Sequence, residues 1–554
     1  MRGDRHEGYD DRAAPASAAY GYPLLLKHLL HAALRQAPGE QIVYRNSVRH
    51  DYRTLAERIA RLADGLTRLG VRAGDTVGVL DWDSHRYLES YFAVPGIGAV
   101  LHMINVRLSP EQILYTINHA EDDVLLVNAD FLPLIESLRD RIERVRAIVV
   151  LVDEGVAPDS PLAIAAEYEA LLAAASPDFG FPDFDENTRA TTFYTTGTTG
   201  QPKGVFFSHR QLMLHTLALA TALGTSAGHG RLHRGDVYMP MTPMFHVHAW
   251  GLPFVATMLG IKQVYPGRYA PETLLALIVG EGVTFSHGVP TVLHMLLSCP
   301  EAAKADLTRL KMVVGGSALP KGLAQRALDR GIDVFTGYGM SETCPILTVS
   351  QLCPEMLVAD EDQQIDVRTR AGQPIPLVDL QLIAGDMVRQ PDDGSSSGEI
   401  VVRAPWLTQG YFKDPAASEA LWAGGYLHTS DIGRIDARGY LHVTDRTKDV
   451  IKTGGEWISS LAIEDLISQL SGVAEVAVVA VADAKWGERP LAIVVPRECA
   501  DPPDAPAIIA HLQGFADRGL ISKWAVPTRV LLVEALDKTS VGKLDKKALR
   551  ARYG

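Results

Sequence analysis

Through the first two-thirds of this chain, short β-branched runs alternate with amphipathic helical stretches, and that rhythm restricts the fold more than any other feature. The runs Thr76 to Leu80, Val124 to Val127, Ala147 to Val152 and Met312 to Val314 are almost continuously apolar, as strands covered on both faces are. Between them, Leu55, Ile59, Leu62, Leu66 and Leu69 share one face of a helix predicted over Tyr52 to Leu69, with Gly70 as its stop, and a second helix is predicted near Lys321 to Arg330. Such alternation predicts stacked α/β units with largely buried sheets. At 554 residues the chain is too long for one core, so more than one domain is expected.

The pattern changes after Gly398. GEIVVRAP and the later GGYLHTSDIGRIDARGYLHVTDR read as short hairpins joined by Gly and Asp turns. Further on, Ile463, Leu466, Ile467 and Leu470 mark a helix, Val473 to Val481 and Leu491 to Val495 buried strands, Ile508 to Phe515 a helix and Val530 to Val533 a last strand. The expected fold class is α/β: a large N-terminal domain of stacked α/β sheets with a small β-barrel-like subdomain, followed by a small α+β C-terminal domain. The boundaries expected are a flexible extension over 1–20, an N-terminal domain over 21–444, a polar hinge linker over 445–450 and a C-terminal domain over 451–554.

Lys plus Arg number 53 against 66 Asp plus Glu, a net charge of −13, which argues against a surface built to hold phosphodiester backbones. Cys299, Cys344, Cys353 and Cys499 form no CxxC pair, so neither a disulfide framework nor a zinc site is indicated, and a reducing cytoplasm is the expected location. The longest nearly uncharged run, Val237 to Ile261, is broken by Pro240, Pro243, Pro253, His246 and His248, and reads as buried interior rather than a membrane span. The first residues lack the continuous apolar stretch of a secretory signal.

The chemistry concentrates in YTTGTTGQPKGV, Tyr194 to Val205. Three glycines and four threonines offer backbone N–H groups and hydroxyls without bulk, and Lys203 adds a point charge, as a triphosphate-cradling loop requires. The P-loop pattern GxxxxGK[ST] fails, because Pro202 and Gly204 flank the lysine. Two other patterns fail: Leu101 stands where a dinucleotide fingerprint beginning at Gly96 and Gly98 needs its third glycine, and Ser341 lies in GMSET rather than GxSxG. His246 and His248, two apart, would share a face on a strand and suggest a metal, but no Cys, Asp or Glu pattern completes a site.

YTTGTTGQPKGV resembles the signature of the adenylate-forming superfamily of acyl- and aryl-CoA synthetases, firefly luciferases and peptide-synthetase adenylation domains. The resemblance continues through PMFHVHAWGLP (Pro243 to Pro253), VVGGSALP (Val313 to Pro320), TGYGMSET (Thr336 to Thr343), HTSDIG (His428 to Gly433), DRTKDVIKTGGEWISS (Asp445 to Ser460) and TSVGKLDKKALR (Thr539 to Arg550), covering roughly Tyr44 to Arg550. The DRTKD linker, GEWISS and KWGERPLAIVVP look most like the medium- and long-chain fatty acyl-CoA synthetase branch.

What the resemblance implies is a two-step reaction: a carboxylate and ATP give acyl-AMP and pyrophosphate, and thiol attack then gives acyl-CoA and AMP. Bringing two anions together calls for cations and oriented donors. Lys543 matches the lysine that bridges carboxylate and α-phosphate, Glu342 and Thr195 the oxygen ligands of Mg²⁺. The nucleotide set carried over is Thr195, Thr196, Gly197, Thr198, Thr199, Gly200 and Lys203 on the loop; Gly316, Ser317, Ala318, Gly337, Tyr338, Gly339 and Thr343 around adenine and phosphates; and Asp431 with Arg446 at the ribose. Ser430 stands where many relatives have glycine. His246, Val247, Trp250, Gly288, Val289 and Met340 are assigned to the acyl pocket, with His246 closing over the carboxylate; Trp250 as an ordinary packed indole is the alternative. Lys448 is the expected pivot of a mobile C-terminal domain, and rotation would replace the Lys543 loop by Lys452, Gly454, Gly455, Glu456 and Trp457, which let a pantetheine arm pass. ATP, Mg²⁺ and coenzyme A are the implied cofactors and co-substrates, a medium-chain fatty acid the first expectation for the acid, and a homodimer compatible with the branch. A short, branched, aromatic or thioether acid stays open, as does a carrier-protein phosphopantetheine as acceptor, although GEWISS and the closing segment favour CoA. A non-catalytic nucleotide-binding or scaffold role is disfavoured by the joint presence of Lys203, Glu342, Asp431, Arg446 and Lys543.

Overall fold

A computed structural model describes residues 16–195, 201–228, 230–446, 448–453, 456–483, 485–497, 502–539 and 542–554, apart from the side chains of 386, 456 and 457. The predicted elements form close to where the pattern puts them. The helix Tyr52–Arg68 is capped by Asp51, whose carboxylate accepts from the Thr54 N–H, and Gly70 takes φ 87° just after it. The apolar runs become the strands Thr76–Leu80, Asp122–Asn128, Ala147–Leu151 and Lys311–Val314.

Two large sheets carry the bulk of the chain. One has seven strands in the order Ile164–Glu167, Ala147–Leu151, Asp122–Asn128, Thr76–Leu80, Val100–Met103, Arg189–Thr195, Lys203–Ser208, parallel except for the last hairpin. The other has nine strands, and at its centre Val237–Met241, Phe285–Gly288, Lys311–Val314 and Asp333–Gly339 run parallel side by side. Their register sets Met241 beside Gly288, Gly288 beside Val314 and Val314 beside Thr336, so the carboxyl ends of four strands open at one edge. In open α/β sheets that edge is where ligands bind.

The hairpin-rich region forms a six-stranded sheet in which Gly398–Arg403, Tyr426–Ile435 and Leu441–Arg446 are antiparallel neighbours. The last hundred residues build a fourth sheet around the antiparallel pair Val473–Asp483 and Gly487–Pro496, eleven and ten residues long, joined by Ile451–Thr453, Glu456–Ile458 and Arg529–Leu532. It has its own core of Ile463, Ile467, Val478, Val494, Ile508 and Leu512. The run Val237 to Ile261 is interior, as expected, and among the described residues no helix is long and apolar enough to cross a membrane. Residues 1–15, Thr447 and Cys499 lie outside the described residues, whereas Cys299, Cys344 and Cys353 are free thiols.

An ion network ties the helices Tyr52–Arg68, His85–Gly96 and Tyr168–Ala174 to one another. Arg58 donates to both carboxylate oxygens of Glu89, at 2.6 and 3.2 Å, and to both of Glu169, at 2.7 and 2.9 Å. Glu89 is fully buried, and that burial pushes its carboxyl above the usual range even with the arginine beside it. Replacing Arg58 by Leu strands this carboxylate, so unfolding free energy should drop by roughly 3–5 kcal/mol. The proton then becomes Glu89's remaining source of neutrality, which makes the loss greater at pH 8 than at pH 5.5. Urea denaturation of the variant and its parent at both pH values checks this, and an equal loss at the two would contradict it.

Candidate active site

The hairpin Arg189–Thr195 and Lys203–Ser208 brings Thr195 opposite Lys203 at its open end. The loop residues Thr196, Gly197, Thr198, Thr199 and Gly200 lie outside the described residues, and so do Gly454 and Gly455. Below the hairpin end runs the segment Thr408 to Phe412, locked in place because the Phe412 N–H donates to the Gly204 carbonyl at 2.8 Å and Tyr411 bridges to Val205. This lays the Tyr411 ring under the Lys203 ammonium, 4.6 Å from ring centroid to Nζ.

Tyr411 also reaches the acidic residue singled out from the sequence. Its hydroxyl donates to Glu342 Oε1 at 2.6 Å, and the Thr408 N–H donates to the Glu342 carbonyl at 3.0 Å. Glu342 is 7 % exposed, and among the described residues only its Oε1 is engaged by a side chain. A carboxylate fixed in this way through one oxygen, with Thr195 at the end of the hairpin whose Lys203 lies over Tyr411, is a donor set of hard oxygens that fits a magnesium ion. Sequence reasoning missed Tyr411. Its signal was present in TQGYF, a glycine–aromatic pair leaving a strand-rich region, but nothing in the spacing linked it to Glu342, 69 positions earlier.

The strand Asp333–Gly339 delivers Gly337, Tyr338 and Gly339 to the sheet edge. The Tyr338 hydroxyl donates to Asp431 Oδ2 at 2.8 Å, and Arg446 Nε donates to Asp431 Oδ1 at 3.1 Å. Asp431 and Arg446 face each other across the antiparallel pair Tyr426–Ile435 and Leu441–Arg446, so the strand register itself creates this contact. Burial and the adjacent carboxylate push the Tyr338 phenol far above its usual value. Gly339 is required where it stands, because a Cβ there would lie 1.8 Å from the Pro345 carbonyl oxygen. Ser317 and Ala318 sit exposed on the rim, while the Thr343 hydroxyl is turned inward and bonds the Met340 and Pro345 carbonyls at 3.1 and 2.5 Å.

Lys543 enters this group from the C-terminal layer. Gly542 at φ 81° turns the loop, the Thr291 hydroxyl donates to the Gly542 carbonyl at 2.8 Å, and the lysine stem lies against Gly316, where a Cβ would come within 2.8 Å of Cε. Val289 lines the other side of Gly316. Burial, reinforced by the Arg446 charge, pulls the Lys543 ammonium down to about 8, against the pull of Asp431 and Glu342. The same lysine and Arg107 add to burial in pushing His246 down to about 3, so His246 is a neutral imidazole.

His246 and His248 do not lie on a strand. Val247, His248, Ala249 and Trp250 have φ of 49°, 56°, 46° and 60°, and Gly251 follows at 76°, making a left-handed turn. Each non-glycine residue there carries a penalty of roughly 1–2 kcal/mol. The turn points the two histidines apart: His248 is buried against Phe193, Phe207 and Phe254, with Nε2 2.8 Å from the Thr191 hydroxyl, which removes any metal pair. Trp250, 4 % exposed, lies on Gly315 and against His287 at 4.9 Å between ring centroids. Gly288, Val289 and Met340 border the same edge of the sheet, with Val247 buried beneath.

The linker is strapped to the C-terminal layer. Asp445 accepts from the Ser460 N–H and hydroxyl at 2.7 and 2.8 Å, and Arg550 donates to the Lys448 carbonyl at 2.9 Å while pairing with Asp449. Lys452 lies on the hairpin Ile451–Thr453 and Glu456–Ile458, which pairs with Gly487 of its own sheet; the side chains of Glu456 and Trp457 are outside the described residues. The structure thus gathers Lys543, Glu342, Asp431, Arg446, Tyr338, His246 and Gly316 about one opening, and leaves Lys452 on the separate C-terminal hairpin.

Residues 30–412 match the family described as AMP-binding enzyme, and residues 462–543 match the AMP-binding enzyme C-terminal domain. The chain is 42 % identical to the long-chain-fatty-acid–CoA ligase of Thermus thermophilus, over 91 % of this chain and 90 % of that protein. It is 37 % identical to the 3-methylmercaptopropionyl-CoA ligase of Ruegeria lacuscaerulensis, over 96 % and 97 %. Among solved structures, the anthranilate CoA ligase AuaEII in complex with anthranoyl-AMP superposes with a TM-score of 0.84 at 23 % identity, covering 96 % of this chain and 98 % of that one.

With Lys543 titrating at about 8, it should outpace ordinary lysines, which titrate near 10.4, in reaction with an amine-directed acylating reagent at pH 8. Peptide mapping by mass spectrometry across pH 7 to 10 reads this site by site. Labelling of Lys543 that rises only with the bulk lysines would contradict the geometry's account of its charge.

Proposed function

The chain belongs to the AMP-binding enzyme family, and from that premise we propose that it is an AMP-forming acid–CoA ligase, with the arrangement about Lys543 serving its first half-reaction. The observation that carries the reading is the convergence of Lys543 with Glu342 and with the Asp431–Arg446 pair beside the strand ends that hold Gly316 and Tyr338. Adenylation requires a carboxylate oxygen to attack the α-phosphorus, so negative charge must be gathered and then stabilised as it grows. Lys543 supplies a cation in a desolvated place, where its field is weakly screened. Asp431 offers acceptors to ribose hydroxyls, with Arg446 and Tyr338 fixing its orientation. The Gly337 to Gly339 segment and Gly316 present flat, side-chain-poor surface for an adenine ring, with Ser317 and Ala318 at the rim and Thr343 bracing the turn beneath. Lys203, held over Tyr411, and the threonines and glycines from Thr195 to Gly200 are assigned to the β- and γ-phosphates. Glu342 and Thr195 would hold a magnesium ion, which supplies charge neutralisation between the phosphates when bound.

The acid is assigned to the space bounded by His246, Val247, Trp250, Gly288, Val289 and Met340. Neutral His246 does not compete for the carboxylate as an ion pair; it closes over it as a hydrogen-bonding ring, leaving the charge to Lys543. The relatives named for long-chain and medium-chain fatty acids and for 3-methylmercaptopropionate support an aliphatic acid. We take a medium-chain fatty acid as the substrate, with Trp250, packed on Gly315 and His287, assigned to the floor of an acyl pocket whose other residues besides His246 are glycine or aliphatic. CoA is the acceptor, reaching the acyl-AMP once the Lys543 loop is exchanged for the hairpin of Lys452, Gly454, Gly455, Glu456 and Trp457 by rotation at Lys448.

Replacing Lys543 by Ala should reduce acyl-AMP formation by a factor of at least about 100, equivalent to some 3 kcal/mol of transition-state stabilisation. Thioester formation from supplied acyl-AMP should stay within a few-fold of the parent. Pyrophosphate release with ATP, magnesium and acids from acetate to palmitate, and mass identification of products with and without CoA, test the whole reading. Equal loss of both half-reactions would sink the role of Lys543, and acyl-AMP that ignores CoA would point to a carrier protein as acceptor.

A further inference from the structure

The left-handed turn from Val247 to Trp250 contains no glycine, and a run of this kind persists only where its surroundings over-determine it. Its entry is fixed at Met244. The Met244 N–H donates to Asp83 Oδ1 at 2.8 Å, and the Met244 carbonyl accepts from the Tyr91 hydroxyl at 2.5 Å. Asp83 is 3 % exposed, Tyr91 and Met244 fully buried. From Met244 the chain continues through the His246 N–H, which donates to the Pro243 carbonyl at 2.9 Å, and the Ala249 N–H, which donates to the His246 carbonyl at 3.1 Å.

Asp83 is anchored in its turn. The Tyr269 hydroxyl donates to its Oδ2, and its carbonyl accepts from the Gly267 N–H at 2.9 Å. It follows the strand Thr76–Leu80 of the seven-stranded sheet, whereas Gly267 and Tyr269 follow Lys262–Tyr265 of the nine-stranded sheet. Met244 is therefore gripped where the two sheets meet, by a loop and a helix of the first sheet and with a tyrosine of the second steadying the grip.

We propose that Asp83 and Tyr91 are positioning residues for the carboxylic acid substrate: by clamping Met244 at its N–H and its carbonyl they hold the left-handed turn that presents His246 and Trp250 to the acid. The inference rests on the acid-activating reading of the site. Neither residue takes part in binding nucleotide, so their loss is felt in acid binding and not in ATP binding.

The charge on Asp83 sharpens the effect. Burial raises its carboxyl to about 7, against the hydrogen bonds from Tyr269 and Met244 and the Arg107 charge, while Asp81 adds a raising push. Asp81 is itself raised by burial to about 6, and Tyr87, Tyr91, Tyr238, Tyr265 and Tyr269, which face the same region, are all pushed far above neutrality and stay uncharged. Ionised Asp83 accepts both donors in charge-assisted bonds, which are stronger than neutral ones. The clamp tightens as pH rises through about 7 and slackens below it.

The test is steady-state kinetics of pyrophosphate release with the full-length protein, varying acid and ATP separately. Tyr91→Phe, which deletes one hydroxyl and keeps the ring, should raise KM for the acid about 3- to 10-fold with KM for ATP within twofold. Asp83→Ala should raise it about 10- to 100-fold, and Asp83→Asn, which retains an acceptor for Met244, should recover much of that loss. In the parent, KM for the acid should climb as pH is lowered from 7.5 to 6, and Asp83→Asn should flatten the climb. Folding is followed by thermal melting, so that Tyr91→Phe decides the matter if Asp83→Ala is unstable. An unchanged acid KM in a folded Tyr91→Phe, or a parallel rise in both KM values, would overturn the clamp, while absence of acid-dependent pyrophosphate release in the parent would overturn the underlying reading instead.

Discussion

A lysine ammonium held in a poorly solvated place is the constraint around which the rest of this molecule is arranged. Lys543 is pulled down to about 8 by burial and by Arg446, against the opposing carboxylates of Asp431 and Glu342. Those carboxylates favour the charged form, but the charge stays available to an incoming anion only if they do not pair directly with it. Asp431 is occupied by Tyr338 and Arg446, and Glu342 by Tyr411. Lys543 is thus surrounded by acids whose hydrogen-bonding capacity is partly spent, so its charge is left for an incoming anion. Three pieces of chain distant in sequence meet to achieve this, and each comes from a different sheet.

Much of that arrangement is legible in the sequence. The helix Tyr52–Arg68, the buried parallel strands and the hairpins around Asp431 follow from hydrophobic period and turn residues, and Arg446 lands opposite Asp431 through strand register alone. The loop chemistry is equally visible, because glycine, threonine and lysine in one stretch have few other uses. What is not legible depends on long-range pairing. Tyr411 finds Glu342 only after the segment Thr408 to Phe412 docks under the hairpin of Lys203, and Asp83 meets Met244 across 161 positions.

The turn at Val247 to Trp250 was hidden for a different reason. Positive φ is ordinarily announced by glycine or asparagine, and this run offers valine, histidine, alanine and tryptophan. Local propensity argues for an extended strand with both histidines on one face. Tertiary packing wins: aromatic contacts hold His248, Gly315 accommodates the Trp250 ring, and hydrogen bonds on both sides of Met244 set the entry. A backbone that departs from its local preference beside a candidate site is a common mark of function, because only the fold as a whole keeps it there.

The contacts that bring Lys543 to the site are of a kind that can be undone. Across the boundary, Thr291 bonds Gly542, the Lys321 N–H donates to Asp465 at 3.0 Å, and helix Lys321–Asp329 touches helix Ser460–Ser468 at Gly322, where a Cβ would meet the Ser468 carbonyl oxygen at 2.4 Å. The neutral bond from Thr291 to Gly542 contributes about 1 kcal/mol net and the bond to the Asp465 carboxylate about 1.5–3 kcal/mol, since water replaces each when broken. The C-terminal layer itself is held by its own apolar core and by the Lys546–Glu464 pair, and Asp445 and Arg550 bind the linker to it through Ser460 and the Lys448 carbonyl. A layer with its own core, on a short polar linker and docked through a few replaceable bonds, has the construction that the proposed rotation requires. A cation for adenylation and a clear path for a thiol are incompatible demands on one opening, and the proposed turn of this layer on Lys448 would meet them in sequence rather than by one compromise surface.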